Sequence, residues 1–231
     1  MTDYNNISDE YDQSKQDRWR IEIEKYSITE YLKDKIKGKR VLDIPCGSGV
    51  YSNLFYELGA KEVVGIDISE EMVKLAKQKT NYPNSSFIQC DAQKLNDLSL
   101  DKFDIITCIF LFNYAKTEEE LENMIKNLKN LLNENGILLI FNDNILQSDY
   151  TTDYSSYNFT KSCENKIIKY NFFNDVFNFD IINYKTEANI FFQKFQKYFK
   201  EITIHKLKVK DKDEYYNVFF NNQPFIFLTC K

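Results

Sequence analysis

From Lys39 to Phe141 the sequence predicts an α/β fold, a parallel sheet covered by helices on both faces. Short apolar runs alternate there with segments of helical period, which is the order of strand, helix, strand, helix. The runs are continuously apolar rather than alternating with polar residues, as strands buried on both faces are. The first of them, Val41-Leu42-Asp43-Ile44, breaks on Pro45 and the pair Gly47 and Gly49 before a helical pattern starts. Glycine accepts positive φ and lets a ligand approach the backbone with no Cβ in the way.

Taken in order, Met1 to Ser14 is polar and is expected to fray at its beginning. Trp19, Ile23, Tyr26, Ile28, Tyr31, Leu32 and Ile36 recur near helical spacing and predict a helix over 16–36, or two broken near Ser27 to Thr29. After the glycine turn, Tyr51 to Leu58 is helical and Gly59 stops it. Glu62 to Asp67 is a second buried strand. Ser69 caps the following helix, with Glu70 and Glu71 favoured in its first turn by the helix dipole. Phe87 to Cys90 is a third strand, Phe103 to Phe112 a fourth, Thr117 to Leu132 a helix with Leu121, Ile125, Leu128 and Leu132 on one face, and Ile137 to Phe141 a fifth strand.

Beyond Asn142 the character changes. Residues 142–162 are polar and aperiodic, as a lid or a disordered loop would be. Lys166 to Phe173 and Phe177 to Tyr184 predict a β-hairpin with aromatic faces. Thr186 to Phe199 is helical, Ile202 to Val209 a strand, Asp211 to Phe220 a helix and Pro224 to Cys230 a last strand.

With 231 residues, 43% of them hydrophobic, the chain can bury a sizeable core, and one elaborated domain is the expectation. A formal charge of -5 disfavours a nucleic-acid partner bound through phosphate neutralisation. No apolar run approaches the ~20 residues that span a bilayer, and the first residues carry no signal pattern, so a cytoplasmic protein with no membrane contact is expected. Five scattered cysteines with no C-x-x-C pair suggest neither a disulfide framework nor a zinc site, and no metal is expected.

Ligands of open parallel sheets bind at the carboxyl ends of the strands, where strand order reverses. Those ends carry Asp43 with Gly47 and Gly49, then Asp67, then Asp91, then Asn113 and Tyr114. Asp67 lies 20 residues past Gly47, the offset at which an acid accepts ribose hydroxyls. Singly, each acid reads equally well as a helix or turn cap; together they point to one nucleotide crevice. A dinucleotide fingerprint needs a third small position after the glycines, and Ser52 stands there. Asp43 would face a pyrophosphate poorly and would suit a cationic amine. Asp91 with the Ala92 amide can read an adenine edge. Adenosine with a cationic amino-acid tail describes S-adenosylmethionine.

On Val41 to Gly49, Val64-Gly65-Ile66-Asp67-Ile68-Ser69, Cys90-Asp91-Ala92 and Phe103-Asp104-Ile105-Ile106, the chain resembles class I S-adenosylmethionine-dependent methyltransferases. The resemblance implies a Rossmann-like sheet of seven strands with an antiparallel last strand. It implies that Gly47 and Gly49 pass under the methionine part, Asp67 with Ile68 beside it holds the ribose, and Asp91 with Ala92 holds adenine. Pro45 departs from the usual small residue there. Tyr11-Asp12-Gln13-Ser14-Lys15 with Arg20, Glu24 and Tyr26, and the C-terminal Tyr215-Tyr216, Asn221-Asn222-Gln223-Pro224 and Thr229-Cys230, are similar to toxoflavin-type small-molecule methyltransferases. That finer likeness implies that Tyr11 and Arg20 approach the cofactor, Arg20 pairing its carboxylate; the competing reading is a solvated Arg20 and a core Tyr11.

The expected domain is thus a helical cap over 1–38, a cofactor-binding core over 39–141, a lid loop and hairpin over 142–185, and a completion of the sheet over 186–231. The expected chemistry is in-line transfer of the activated methyl, with S-adenosylhomocysteine as product, to a small molecule with an N or O nucleophile such as a flat heterocycle. Alignment and exclusion of water would carry the rate. Tyr114, with Tyr11 second, is the candidate beside the reacting atoms. The one histidine, His205, sits on a strand pattern that points it away from the core. The alternatives are a non-catalytic cofactor binder, an NAD-dependent reductase and a protein or RNA methyltransferase. Nothing in the sequence sets the oligomeric state.

Overall fold

A computed structural model describes residues 2–211 and 213–231. Met1, part of the expected frayed start, and Lys212, part of the expected last helix, lie outside them. Seven strands form one sheet: β1 (Arg40–Asp43), β2 (Glu62–Asp67), β3 (Ser85–Gln89), β4 (Phe103–Ile109), β5 (Leu132–Asp143), β9 (Ile202–His205) and β10 (Phe225–Cys230). Their order is β3-β2-β1-β4-β5-β10-β9. The first five run parallel, and β10 lies antiparallel between β5 and β9. Order reverses between β1 and β4, which places a crevice at the carboxyl ends of those two strands.

Three helices show how local sequence sets the sheet's connections. α3 (Val50–Glu57) opens on Gly49, whose φ of 84° is left-handed. α4 (Glu70–Lys79) is capped by the Ser69 side chain, which accepts from the Met72 amide at 3.2 Å. On the other side of the crevice α5 (Glu118–Leu131) is capped in the same way by Thr117, which accepts from the Glu120 amide at 3.1 Å. The Ile44–Pro45 peptide at the end of β1 is cis.

The N-terminal region departs from a single helix over 16–36. α1 (Ser8–Ser14) is formed inside the polar start, a π-helical stretch runs Arg20–Lys25, and α2 (Tyr26–Leu32) continues from it with no break at Ser27. The buried face is still the expected one, with Trp19, Ile23, Ile28, Leu32 and Ile36 fully covered. Asp12 ties α1 to the glycine turn and to the end of α4, accepting from the Ser48 hydroxyl and from Lys79.

The larger correction concerns 142–185. β6 (Phe159–Glu164), β7 (Ile167–Phe173) and β8 (Asn178–Tyr184) form an antiparallel sheet of three strands, so the polar stretch ends in a strand rather than running as loop to Ser162. On β6 the inward positions are Phe159, Lys161 and Cys163, and a lysine in the middle hides the alternation. Lys161 is buried, donates to Gln147 Oε1 at 2.7 Å and to the Pro224 carbonyl at 2.8 Å, and lies 3.8 Å from Asp143. The aromatic face of the hairpin is core: Phe159 stacks against Tyr154, and Tyr170 against Phe172 and Phe225, in one cluster with Trp19. The C-terminal elements are shorter than expected: α6 (Ala188–Gln196), the four residues of β9, and α7 (Asn217–Asn221). Among the described residues, no helix is long and apolar enough to cross a membrane.

Candidate functional site

A cavity of about 250 Å³ sits at the carboxyl ends of the parallel strands. Gly47 and Ser48 enter it after β1, Asp67 and Ile68 after β2, Asp91 and Ala92 after β3, and Phe110, Leu111 and Tyr114 after β4. Four turns from four strands thus meet in one crevice.

Asp67 ties two of those turns together. Its Oδ2 accepts from the Gly47 amide at 2.8 Å and its Oδ1 from the Ser69 amide at 2.9 Å. Each oxygen keeps a lone pair for the cavity, so a vicinal diol could bind both. Burial raises its pKa to about 6. Asp91 caps the 3-10 helix Ala92–Asp97, its Oδ1 accepting from the Gln93 amide at 2.9 Å. The cap and the ligand readings of the acids are therefore compatible: the amides aim the carboxylates.

The two glycines divide their work. A Cβ on Gly47, at φ 51°, would meet no atom within 4 Å and would project into open space at the cavity wall. Gly49 does not line the cavity. A Cβ there would press on Ala76 Cβ and Thr80 Oγ1 at 3.2 Å, so it serves the close packing of the turn on α4.

Asp43 is also absent from the wall. Its oxygens accept from the Ser52 hydroxyl at 2.6 Å and the Thr107 hydroxyl at 3.1 Å, linking α3, β1 and β4 under the turn. Burial pushes its pKa up to about 7. The reading of Asp43 as a seat for a cationic amine is thus corrected: the acid is buried beneath the turn, outside the cavity wall.

The N-terminal segment roofs the cavity. Tyr4, Tyr11 and Lys15 line it. Tyr4 and Tyr114 meet hydroxyl to hydroxyl, and burial raises both phenols well above their ordinary range. Tyr11 stands edge-on to Tyr4 with ring centres 5.0 Å apart. Asn5 Oδ1 accepts from the Ser69 hydroxyl at 2.8 Å, and Thr2 Oγ1 accepts from the Ile182 amide of β8 at 2.8 Å. Among the described residues, none of 142–185 lines the cavity. The lid expected there packs as core instead, and the covering segment is 2–15.

Arg20 stands behind the wall rather than in it. It is 2% exposed and donates from Nη1 to Glu24 Oε2 at 3.2 Å. Glu24, fully buried, also accepts from Lys15 at 3.3 Å and from the Tyr51 hydroxyl at 2.5 Å. Lys15 is the charged member of this cluster that reaches the cavity, beside Tyr51, and it lies over the rings of Tyr11, Tyr51 and Phe110 at 5.0, 5.4 and 5.5 Å. Sequence reasoning passed over Lys15 although it quoted the segment containing it. It also missed Tyr4, for which the sequence carries no signal, and Glu120 and Met124, which share a wall-facing side of α5. His205 stays out of the site, between Tyr31 and Phe227 with Nε2 at 2.8 Å from Thr229 Oγ1.

A family model described as "Methyltransferase domain" matches residues 35–223. The ubiquinone biosynthesis O-methyltransferase of Glaesserella parasuis is 36% identical over 119 residues, which are 48% of this chain and 49% of that protein. The chain spans about half the length of the curated relatives it matches. In three dimensions it resembles the PH0226 protein of Pyrococcus horikoshii, with TM-score 0.68, 19% identity and coverage of 100% and 99% of the two chains. It also resembles DhpI in its SAH complex, with TM-score 0.63, 15% identity and coverage of 99% and 92%. These likenesses are of fold.

Proposed function

As the chain belongs to the methyltransferase-domain family, whose model covers 35–223, we propose that it transfers a methyl group from S-adenosylmethionine to a small-molecule acceptor. The observation that carries this reading is the convergence of Gly47, Asp67 and Asp91 on one cavity that also contains Tyr11 and Tyr114.

The residues that line the crevice supply a partner for each part of the cofactor. Asp67 would accept the ribose hydroxyls, its two oxygens already oriented by backbone amides. Asp91 and Ala92 would read adenine, and the bare backbone of Gly47 would lie along the methionine chain. Lys15 would meet the carboxylate, at the end of a cluster in which Arg20 keeps Glu24 paired. When bound, the cofactor supplies an activated methyl and a neutral leaving group. What the chain adds is alignment and exclusion of water. Tyr4, Tyr11, Phe110 and Tyr114 give the roof an aromatic surface, and the bonded hydroxyl pair of Tyr4 and Tyr114 can accept the hydrogen of an N–H or O–H nucleophile, leaving its lone pair free to attack the methyl. That chemistry favours a flat, largely apolar acceptor with an N or O nucleophile, the class to which the toxoflavin-type likeness also points.

The test is incubation with S-adenosylmethionine and a metabolite mixture, read by mass spectrometry. Acceptor-dependent S-adenosylhomocysteine together with a singly methylated product supports the proposal. Tight cofactor binding with no turnover on any fraction supports the non-catalytic alternative, and preference for NAD would overturn both.

A further inference from the structure

Behind the turn that carries Tyr114 lies a second, much smaller cavity of about 10 Å³. The 3-10 turn Phe112–Tyr114 is the partition: Tyr114 faces the large cavity, while Phe112 and Asn113 line the small one. Asn142, at the end of β5, and Tyr150 line its other sides.

Asn113 is 2% exposed, and neither its Oδ1 nor its Nδ2 has a protein partner. Turning the amide over exchanges the two atoms and leaves both in the same position, so a flip does not resolve it. Asn142, also 2% exposed, has an unpartnered Oδ1. Buried polar groups are almost always paired with protein or ordered water. Three such atoms on these two residues, with the unpartnered Tyr150 hydroxyl on the same cavity, point to a shared ligand. A water needs roughly 10–15 Å³ and two to four polar partners, which is what this cavity provides.

We propose that the small cavity is a binding site for one internal water, which accepts from Asn113 Nδ2 and donates to Asn142 Oδ1. Its role is to fasten the turn carrying Tyr114 to the end of β5. Water, rather than a monovalent cation, follows from the charges around it. Asp143, the adjacent carboxylate, already accepts from Tyr170 and from Asn183 Nδ2 at 2.9 Å and faces Lys161 at 3.8 Å, and Lys185, with its ammonium 5.3 Å from the Tyr150 ring centre, lines the same cavity. No unpaired negative charge remains to hold a cation.

A crystal structure of the full chain, at a resolution where ordered waters are seen, tests this directly. The expected result is one spherical peak within hydrogen-bonding distance of Asn113 and Asn142, absent from Asn113→Leu. Crystals soaked in a rubidium salt should show no anomalous signal there. A rubidium signal, or a peak-free site with Asn113 turned onto a protein partner, overturns the proposal. Should Asn113→Leu fail to fold, the wild-type map and the soak still decide.

Discussion

Asp67 Oδ2 holds the Gly47 amide at 2.8 Å, so the acid at the end of β2 and the turn after β1 form one rigid unit. Burial raises the Asp67 pKa to about 6. Under the proposed function the ionised form receives ribose hydroxyls, and protonation removes that acceptor. Affinity for S-adenosylhomocysteine should therefore fall as pH drops below about 6. Asp67→Asn should weaken binding about tenfold or more and flatten the profile, since each lost hydrogen bond to a charged group is worth roughly 1.5–3 kcal/mol. Calorimetric titration across the pH range checks both; an unchanged affinity in Asp67→Asn would falsify the ribose assignment.

Asp43 makes a separate prediction about stability. Its folded pKa is about 7, against an unfolded value near 3.9, so the folded state holds the extra proton between them. Stability then falls, rather than rises, as pH increases through that window, and the loss is complete above it. About three units at 1.36 kcal/mol each set the scale at ~4 kcal/mol. Asp43→Asn should remove most of this slope, because an amide can still accept from Ser52 or Thr107. Chemical denaturation of both proteins over the same pH values provides the comparison.

Lys15 and Arg20 share Glu24 but should differ in what their loss does. Lys15→Met should weaken S-adenosylhomocysteine binding about tenfold, the scale of one charged contact, with little change in melting temperature. Arg20→Met strips the fully buried Glu24 of the more deeply buried of its two cationic partners, behind the wall. It should cost about 3 kcal/mol of stability and less in binding at a temperature where the protein is folded. The reverse pattern would restore Arg20 as the residue that meets the cofactor. Thermal melts and titrations of both variants separate the cases.

How far the sequence reached depends on the kind of signal. β2 was legible to the residue and Ser69 as a cap, because a continuous apolar run and a side chain followed by two acids are local facts. The meeting of Gly47, Asp67 and Asp91 was legible because a parallel sheet sends all strand ends the same way. Asp43 was misread because its partners, Ser52 and Thr107, come from a helix and a strand whose approach no local pattern records. β6 was hidden by Lys161, an inward cation made tolerable by Gln147, Pro224 and Asp143 from distant segments. The roof was assigned to the aromatic hairpin on composition, whereas its rings fill the core and the polar start supplies the cover.

That exchange of roles gives the last prediction. The strap over 2–15 is held by polar contacts at separate points: Thr2 to β8, Asn5 to Ser69, Tyr4 to Tyr114 and Asp12 to Ser48 and Lys79. Its short helix has one fully buried residue, Ser14, and the strap's apolar side chains Tyr4, Ile7 and Tyr11 are only partly buried against the core, so less apolar area resists local opening than in the three-stranded sheet. The three-stranded sheet is anchored by Phe159, Tyr170, Phe172 and Phe179 in the core. Hydrogen exchange without ligand should therefore be fast in 2–14 and slow in the inner strand β7. Adding S-adenosylhomocysteine should slow exchange in the strap and leave β7 unchanged, because Tyr4 and Tyr11 line the cavity that the ligand would occupy and no described residue of 142–185 does. Protection gained in β6 to β8 instead would mean that the hairpin closes over the site after all.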